Sequence, residues 1–222
     1  DKIEVAPGAH YLMGGISIDN NGGTGIAGLF AAPECAGNVD GANRLAGSGI
    51  AATQVFGARA GFAASRWAGE NALREMDVAS QADETERVRC RLASAESATN
   101  RATAADLPQL RRRLQESVQR YAGVSRNQAG LGLRREEARQ IRSALQGKQV
   151  VDHKIFNQAL LDLLQLETLC EVAELVAGSA LLREESRGHH YRSDFPQTSE
   201  RWLCHTSVVR DGGTAQFKPK PL

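Results

Sequence analysis

The sequence predicts an α+β chain: short strands and a buried helix first, then a three-helix bundle, then a β-hairpin. Three observations predict it. More than half of the 22 glycines fall between His10 and Gly61, and glycine is kept where a backbone takes positive φ or where another group comes close. Between residues 106 and 185 apolar side chains recur at spacings of three and four, the period of helices with buried faces. After Pro196 the period drops to two, which is that of a strand. By these changes the chain divides at residues 1–68, 69–105, 106–195 and 196–222.

Asp1 to Ala9 reads as a lead-in strand, with Ile3 and Val5 alternating with charge and Pro7-Gly8 stopping it. Ile16 and Ile18, then Leu29 and Phe30, flank Asn20-Asn21-Gly22-Gly23, which reads as the turn of a hairpin. A loop at Pro33-Glu34-Cys35-Ala36-Gly37 and a small-residue segment from Gly41 to Gly49 lead into a helix from Ile50 to Ala68. That helix is apolar or small on nearly every side, so it is expected to be buried all round. A loop of main-chain N–H groups running into a helix amino end suits an anion or a polar ring. The same spacing also fits a plain strand-to-helix turn.

Gly69 to Ala105 is helix-prone but poor in large apolar residues, a partly exposed helical connection. From Asp106 to Ala122, Leu107, Leu110, Leu114, Val118 and Tyr121 form one stripe, with Asp106 as cap, Pro108 in the first turn and Gly123 as the stop. Arg111-Arg112-Arg113 fall mainly on its solvated side. Ser125 and Gln128 fit a capping box for a helix that carries Leu131, Leu133, Ala138, Ile141 and Leu145 and stops at Gly147. A longer helix, from about Asp152 to Glu185, is apolar on more than one face and is therefore the central member of the bundle, with Gly188 as its C-cap. Trp202 to Val209 alternate, a hairpin turns at Asp211-Gly212-Gly213 and returns to Phe217, and the final KPKPL is expected to be loose.

A net charge of +1 gives no general pull toward nucleic acid or an anionic membrane. No apolar run approaches the roughly 20 residues that span a bilayer. Cys35, Cys90, Cys170 and Cys204 are scattered, without the clustering that zinc or iron–sulfur sites need, and read as reduced thiols of a cytoplasmic protein. Cys35 reads as a small buried residue. His189 and His190 are adjacent, which points their rings apart, and no third ligand is in sight, so no metal site is expected.

His10-Tyr11-Leu12-Met13-Gly14-Gly15-Ile16, Gly28-Leu29-Phe30-Ala31-Ala32-Pro33-Glu34, Gly41-Ala42-Asn43-Arg44-Leu45 and Val55-Phe56-Gly57-Ala58-Arg59-Ala60-Gly61 follow one another in this order. Far downstream comes Arg183-Glu184-Glu185-Ser186-Arg187-Gly188-His189-His190-Tyr191-Arg192-Ser193-Asp194-Phe195-Pro196. Together these segments resemble the successive signatures of the fumarate reductase and succinate dehydrogenase flavoprotein family, of which L-aspartate oxidase is a close relative. The resemblance implies the carboxy-terminal portion of an FAD-binding domain ahead of the bundle. The GxGxxG pyrophosphate loop and the capping domain with its proton-transferring arginine have no counterpart among these residues, so no catalytic residue is expected in this chain, and the chain alone is expected to be inactive.

By this resemblance His10 and Arg44 are the substrate-binding residues, holding carboxylates of a dicarboxylate. Glu34 accepts from the FAD ribose, and Gly47, Ser48, Gly49 and Ile50 meet the pyrimidine side of the flavin. Three positions depart from the family pattern. Pro33 stands where glycine is usual and removes an N–H; Asp40 replaces the usual histidine before Gly41; Ser48-Gly49 replaces Asn-Ser. A charge at Asp40 would oppose a dicarboxylate if it pointed inward. The implied reaction is hydride transfer between FAD and a dicarboxylate, with an iron–sulfur partner subunit, a cytoplasmic location peripheral to the inner face of the membrane, and no membrane span. Oxidation of an amino acid, as in L-aspartate oxidase, is the alternative enzyme. A helical module docking an iron–sulfur subunit or a flavin-attachment factor is the alternative from another class. Arg187, Arg192 and Asp194 are expected to tie the bundle to the flavin domain.

Overall fold

The computed structural model describes residues 3, 8–72, 75, 77–94, 106–153 and 155–222. The chain forms two compact units, Asp1–Glu75 and Met76–Leu222. Most of the expected lead-in strand lies outside the described residues, as does part of the connection before residue 106.

In the first unit the expected hairpin is reduced to single bridges, Gly23 with Phe30 antiparallel and Ile16 with Ala36 parallel. The reason is local. The Asp19 carboxylate accepts from the N–H groups of Asn21 and Gly23, both at 2.8 Å, so the side chain takes donors that a ladder would use. Gly15 is required by close approach, since a Cβ there would stand 2.2 Å from the Cys35 carbonyl oxygen. Gly22 has φ +79, and its Cβ would stand 2.7 Å from that of Ala60.

Ala60 belongs to α1, Ser48–Glu70, whose buried residues are Ala52 and Ala60. The expectation of a helix buried all round is therefore corrected. Small side chains seat one face of α1 on the glycine loop, while Ile50 and Phe62, on other faces, are 76% and 79% exposed. Cys35 is likewise exposed rather than buried; its neighbour Ala36, which makes the bridge to Ile16, takes the buried place instead.

The second unit opens with α2, Val78–Arg89, capped by the Asp77 carboxylate on the N–H groups of Ala79 and Ser80. A two-residue strand β1, Leu92–Ala93, pairs in parallel with β2, Val150–Val151. Between and after them stand the three bundle helices: α3, Asp106–Tyr121; α4, Gln128–Leu145; and α5, Gln158–Leu182. Leu107, Leu114, Ala138, Ile141, Leu145, Leu163, Leu166 and Cys170 form one buried core, as the helical period required. Burial pushes the Cys170 thiol up to about 11. α5 is the central member, touching α3, α4 and the carboxy-terminal strands.

Its ends differ from expectation. Val150–Val151 are taken by the strand pair, and Asn157 starts the helix, its Oδ1 accepting from the Leu160 N–H at 3.1 Å while its Nδ2 donates to the Val151 carbonyl at 2.9 Å. α4 likewise starts on an asparagine, Asn127, which accepts from the Gly130 N–H at 2.8 Å, in place of the Ser125–Gln128 box; the amide side chain lies nearer the first turn. α5 closes at Arg183. Gly188, φ +57, instead occupies a tight turn in which Arg187 and His190 exchange backbone hydrogen bonds of 2.8 and 3.0 Å.

The carboxy-terminal hairpin joins β3, Cys204–Asp211, to β4, Thr214–Pro221, through Gly212-Gly213, both left-handed, the two-residue turn that matches strand twist. The tail is not loose: Lys218, Pro219, Lys220 and Pro221 continue the ladder. Counting from the Asp211–Thr214 pair, Pro219 and Pro221 fall at the non-hydrogen-bonded positions, where the missing N–H faces outward. Phe217 lays its ring on α5 at Gly178, where a Cβ would stand 2.3 Å from the ring.

Arg187, Arg192 and Asp194 bind inside this second unit, which corrects the expectation that they reach the flavin domain. Arg192, 1% exposed, donates to the Ala180 carbonyl at 2.8 Å and forks onto Asp194 at 2.7 and 2.8 Å. Asp194 also accepts from the Gln128 N–H at 2.8 Å, so one ion pair ties the end of α5 to the start of α4. Glu185 is fully buried between Arg183, Arg187 and the Ser199 N–H. Burial opposes its ionisation, but those hydrogen bonds outweigh it and hold the carboxyl below its ordinary range. Burial and the neighbouring arginines lower His190; its Nε2 donates to the Arg183 carbonyl at 3.1 Å and its Nδ1 accepts from Arg126 at 3.3 Å.

Candidate active site

The segment His10–Met13 is stitched, one residue at a time, onto residues 34–44 of the first unit. His10 Nε2 lies 2.9 Å from Arg44 Nη2. The Tyr11 hydroxyl donates to Asp40 Oδ2 at 2.9 Å. The Leu12 N–H donates to Glu34 Oε1 at 3.0 Å, and the Met13 sulfur accepts from the Arg44 N–H at 3.1 Å. Segments distant in sequence are thus brought together by four short contacts rather than by a sheet.

A guanidinium only donates, so the imidazole must accept at Nε2 and carries its proton on Nδ1. His10 is then a neutral ring with one N–H left to give, beside a cation with several. Arg44 also lies over the Tyr11 ring, its Cζ 4.1 Å from the centroid. Gly49 lies against both, where a Cβ would stand 2.8 Å from Arg44 Nη1 and 3.6 Å from Tyr11 Cε2. His10 is exposed and Arg44 half-buried, so the donors remain reachable.

Asp40 does not point at the paired donors; its carboxylate is taken by Tyr11. Burial, the hydrogen bond to Asp40 and that carboxylate's charge raise the Tyr11 phenol above its ordinary value, against the opposing pull of Arg44. Sequence reasoning misses Tyr11 as a shelf and Gly49 as the space for a guanidinium. The Ser48-Gly49 departure is the signal for the second; a ring contact leaves no sequence signal of its own.

The residues assigned to FAD lie next to this cluster. Gly47, φ +83, precedes α1, whose first turn has no side-chain cap and no acidic residue. The N–H groups of Ser48 and Ile50 are taken by the Leu45 and Gly47 carbonyls, each at 3.2 Å; those of Gly47 and Gly49 have no partner among the described residues. The open end of the helix dipole and these two donors suit the electron-rich edge of a flavin. Glu34 is exposed and accepts one N–H, leaving lone pairs for ribose hydroxyls. The residues present therefore fit part of an FAD site. Among the described residues no cluster of ligands could hold a metal ion, and no helix is long and apolar enough to cross a membrane.

Known proteins resemble both units. Residues 2–50 match the FAD binding domain family, and residues 111–222 match the fumarate reductase flavoprotein C-terminal family. The chain is 34% identical over 226 residues to the fumarate reductase flavoprotein of Mycobacterium tuberculosis, covering 100% of this chain and 39% of that protein. It is 33% identical over 233 residues to L-aspartate oxidase of Synechocystis sp., covering 94% and 38%. Among solved structures it is similar to a quinol fumarate reductase from E. coli, with a TM-score of 0.85 and 29% identity over 96% of this chain and 37% of that one. The chain thus spans little more than a third of the length of these relatives, and it belongs to the fumarate reductase flavoprotein family, with FAD as the family's cofactor.

Proposed function

We propose that the protein containing this chain is an FAD-dependent oxidoreductase acting on a dicarboxylate, and that this chain supplies substrate donors and part of the flavin site. The contact of His10 with Arg44 at 2.9 Å carries the reading. It sets an imidazole and a guanidinium side by side, two donor types that carboxylate recognition uses. FAD, when bound, supplies two-electron chemistry at a carbon–carbon bond. Arg44 holds a substrate carboxylate, His10 Nδ1–H donates to one, and the uncapped start of α1 stabilises negative charge at the flavin edge. Glu34 holds the ribose.

The experiment is dye-linked reduction of fumarate, and oxidation of succinate, by the full-length protein loaded with FAD. Arg44→Gln is expected to lower kcat/KM by about a hundredfold or more, the scale of losing a charged, bidentate contact; full-length protein that turns over neither compound sinks the reading. The similarity to L-aspartate oxidase supports a second reading, amino-acid oxidation, which hydrogen peroxide formed from L-aspartate would establish. The bundle, on either reading, is a face for an iron–sulfur partner subunit, and the protein sits in the cytoplasm, against the inner face of the membrane only through such partners.

A further inference from the structure

We propose that Tyr11 and Asp40 are positioning residues for the Arg44 clamp, and that they tune its affinity in opposite directions; this rests on the dicarboxylate reading above. Arg44 is confined by three neighbours: the Tyr11 ring lies at 4.1 Å, His10 is at one edge, and Gly49 leaves space that a Cβ would fill. Of these walls, the ring attracts the cation by its face. It is itself held in place, because its hydroxyl is anchored on Asp40 at 2.9 Å. Asp40 therefore acts twice. As an acceptor it fixes the shelf on which the guanidinium lies. As a charge, separated by one ring from Arg44, it offsets the positive potential that draws a dianion in. The chain carries this carboxylate between Val39 and Gly41, so the clamp is built rigid and electrostatically muted.

The two roles are separable by substitution. Asp40→Asn keeps an acceptor for the Tyr11 hydroxyl and removes the charge; Tyr11→Phe keeps the ring and removes the anchor. The full-length FAD-loaded protein is titrated with malonate, an unreactive dicarboxylate, followed by the change in flavin absorbance, with thermal midpoints recorded to show that each variant is folded. Asp40→Asn is expected to bind malonate about three- to tenfold more tightly at low salt, with the gain shrinking as salt rises. Tyr11→Phe is expected to bind it about two- to tenfold more weakly. A role confined to folding would move both in the same direction. The proposal is overturned if both variants weaken binding, or if both match the parent while Arg44→Gln abolishes it. If the parent itself binds no malonate, the dicarboxylate reading falls and takes this inference with it.

Discussion

Arg134 sits on the buried face of α4 between Leu131 and Ala138, 2% exposed, and its Nε and Nη1 meet no acceptor among the described residues. Burial lowers its pKa. A guanidinium in that position loses hydration without gaining a counter-charge. Arg134→Met fills a similar volume without the charge, and is expected to raise unfolding free energy by about 1–3 kcal/mol in urea titration; a loss of stability would mean that an acceptor pairs with the group. The site residues differ in how legible they are. That His10 and Arg44 meet, at 2.9 Å, could be anticipated from the sequence, because the family resemblance assigns both to one proposed site. Arg134 and Tyr11 cannot, since a buried cation in an apolar stripe and a ring beneath a guanidinium depend on which surfaces the fold brings face to face.

At the scale of elements, period and punctuation locate all three bundle helices and the hairpin, and miss chiefly their ends. The start of α5 shows why. The expected start at about Asp152 falls directly after Val150 and Val151, which pair with Leu92 and Ala93, a tertiary partner that no local window contains, and the helix begins only at Gln158. Asn157 then does two jobs, capping Leu160 and bonding Val151. Asn157→Ala is therefore expected to cost about 1–2 kcal/mol, at the upper end for a cap, and chemical unfolding would measure it. The hairpin offers the opposite sign. Gly212 has φ +54, and a Cβ added there would meet no atom within 4 Å; Asn tolerates that conformation while lowering the entropy of the unfolded chain. Gly212→Asn is expected to stabilise by up to about 1 kcal/mol; a lower thermal midpoint would show that the turn is not held as described.

For the molecule as a whole, acid is the informative perturbation. Asp194 is held down to about 2, first by the Arg192 fork, with burial opposing, then by the Gln128 N–H. A carboxyl whose folded pKa lies below its unfolded value near 4 contributes stability fully above about pH 5 and loses it as pH falls toward 2. Since Asp194 is 29% exposed on its side chain, solvent screening reduces the linkage to about 1–2 kcal/mol. Glu185, also depressed, acts in the same direction. Protonating Asp194 releases the tie between Arg192, which holds the Ala180 carbonyl, and the first turn of α4, so the bundle should loosen at its closed end before the α3–α4–α5 core is exposed. Thermal midpoints measured from about pH 6 to pH 2 should fall mainly below pH 4, and Asp194→Asn should flatten that fall while lowering the midpoint at pH 6. Glu185→Gln behaves differently: it leaves Arg183 and Arg187 facing a neutral group in a buried place, a loss of about 3–5 kcal/mol already at neutral pH. A Glu185→Gln variant as stable as the parent at neutral pH, or an Asp194→Asn variant with the parent's full acid slope, would show that this ion cluster does not hold the two helix ends together.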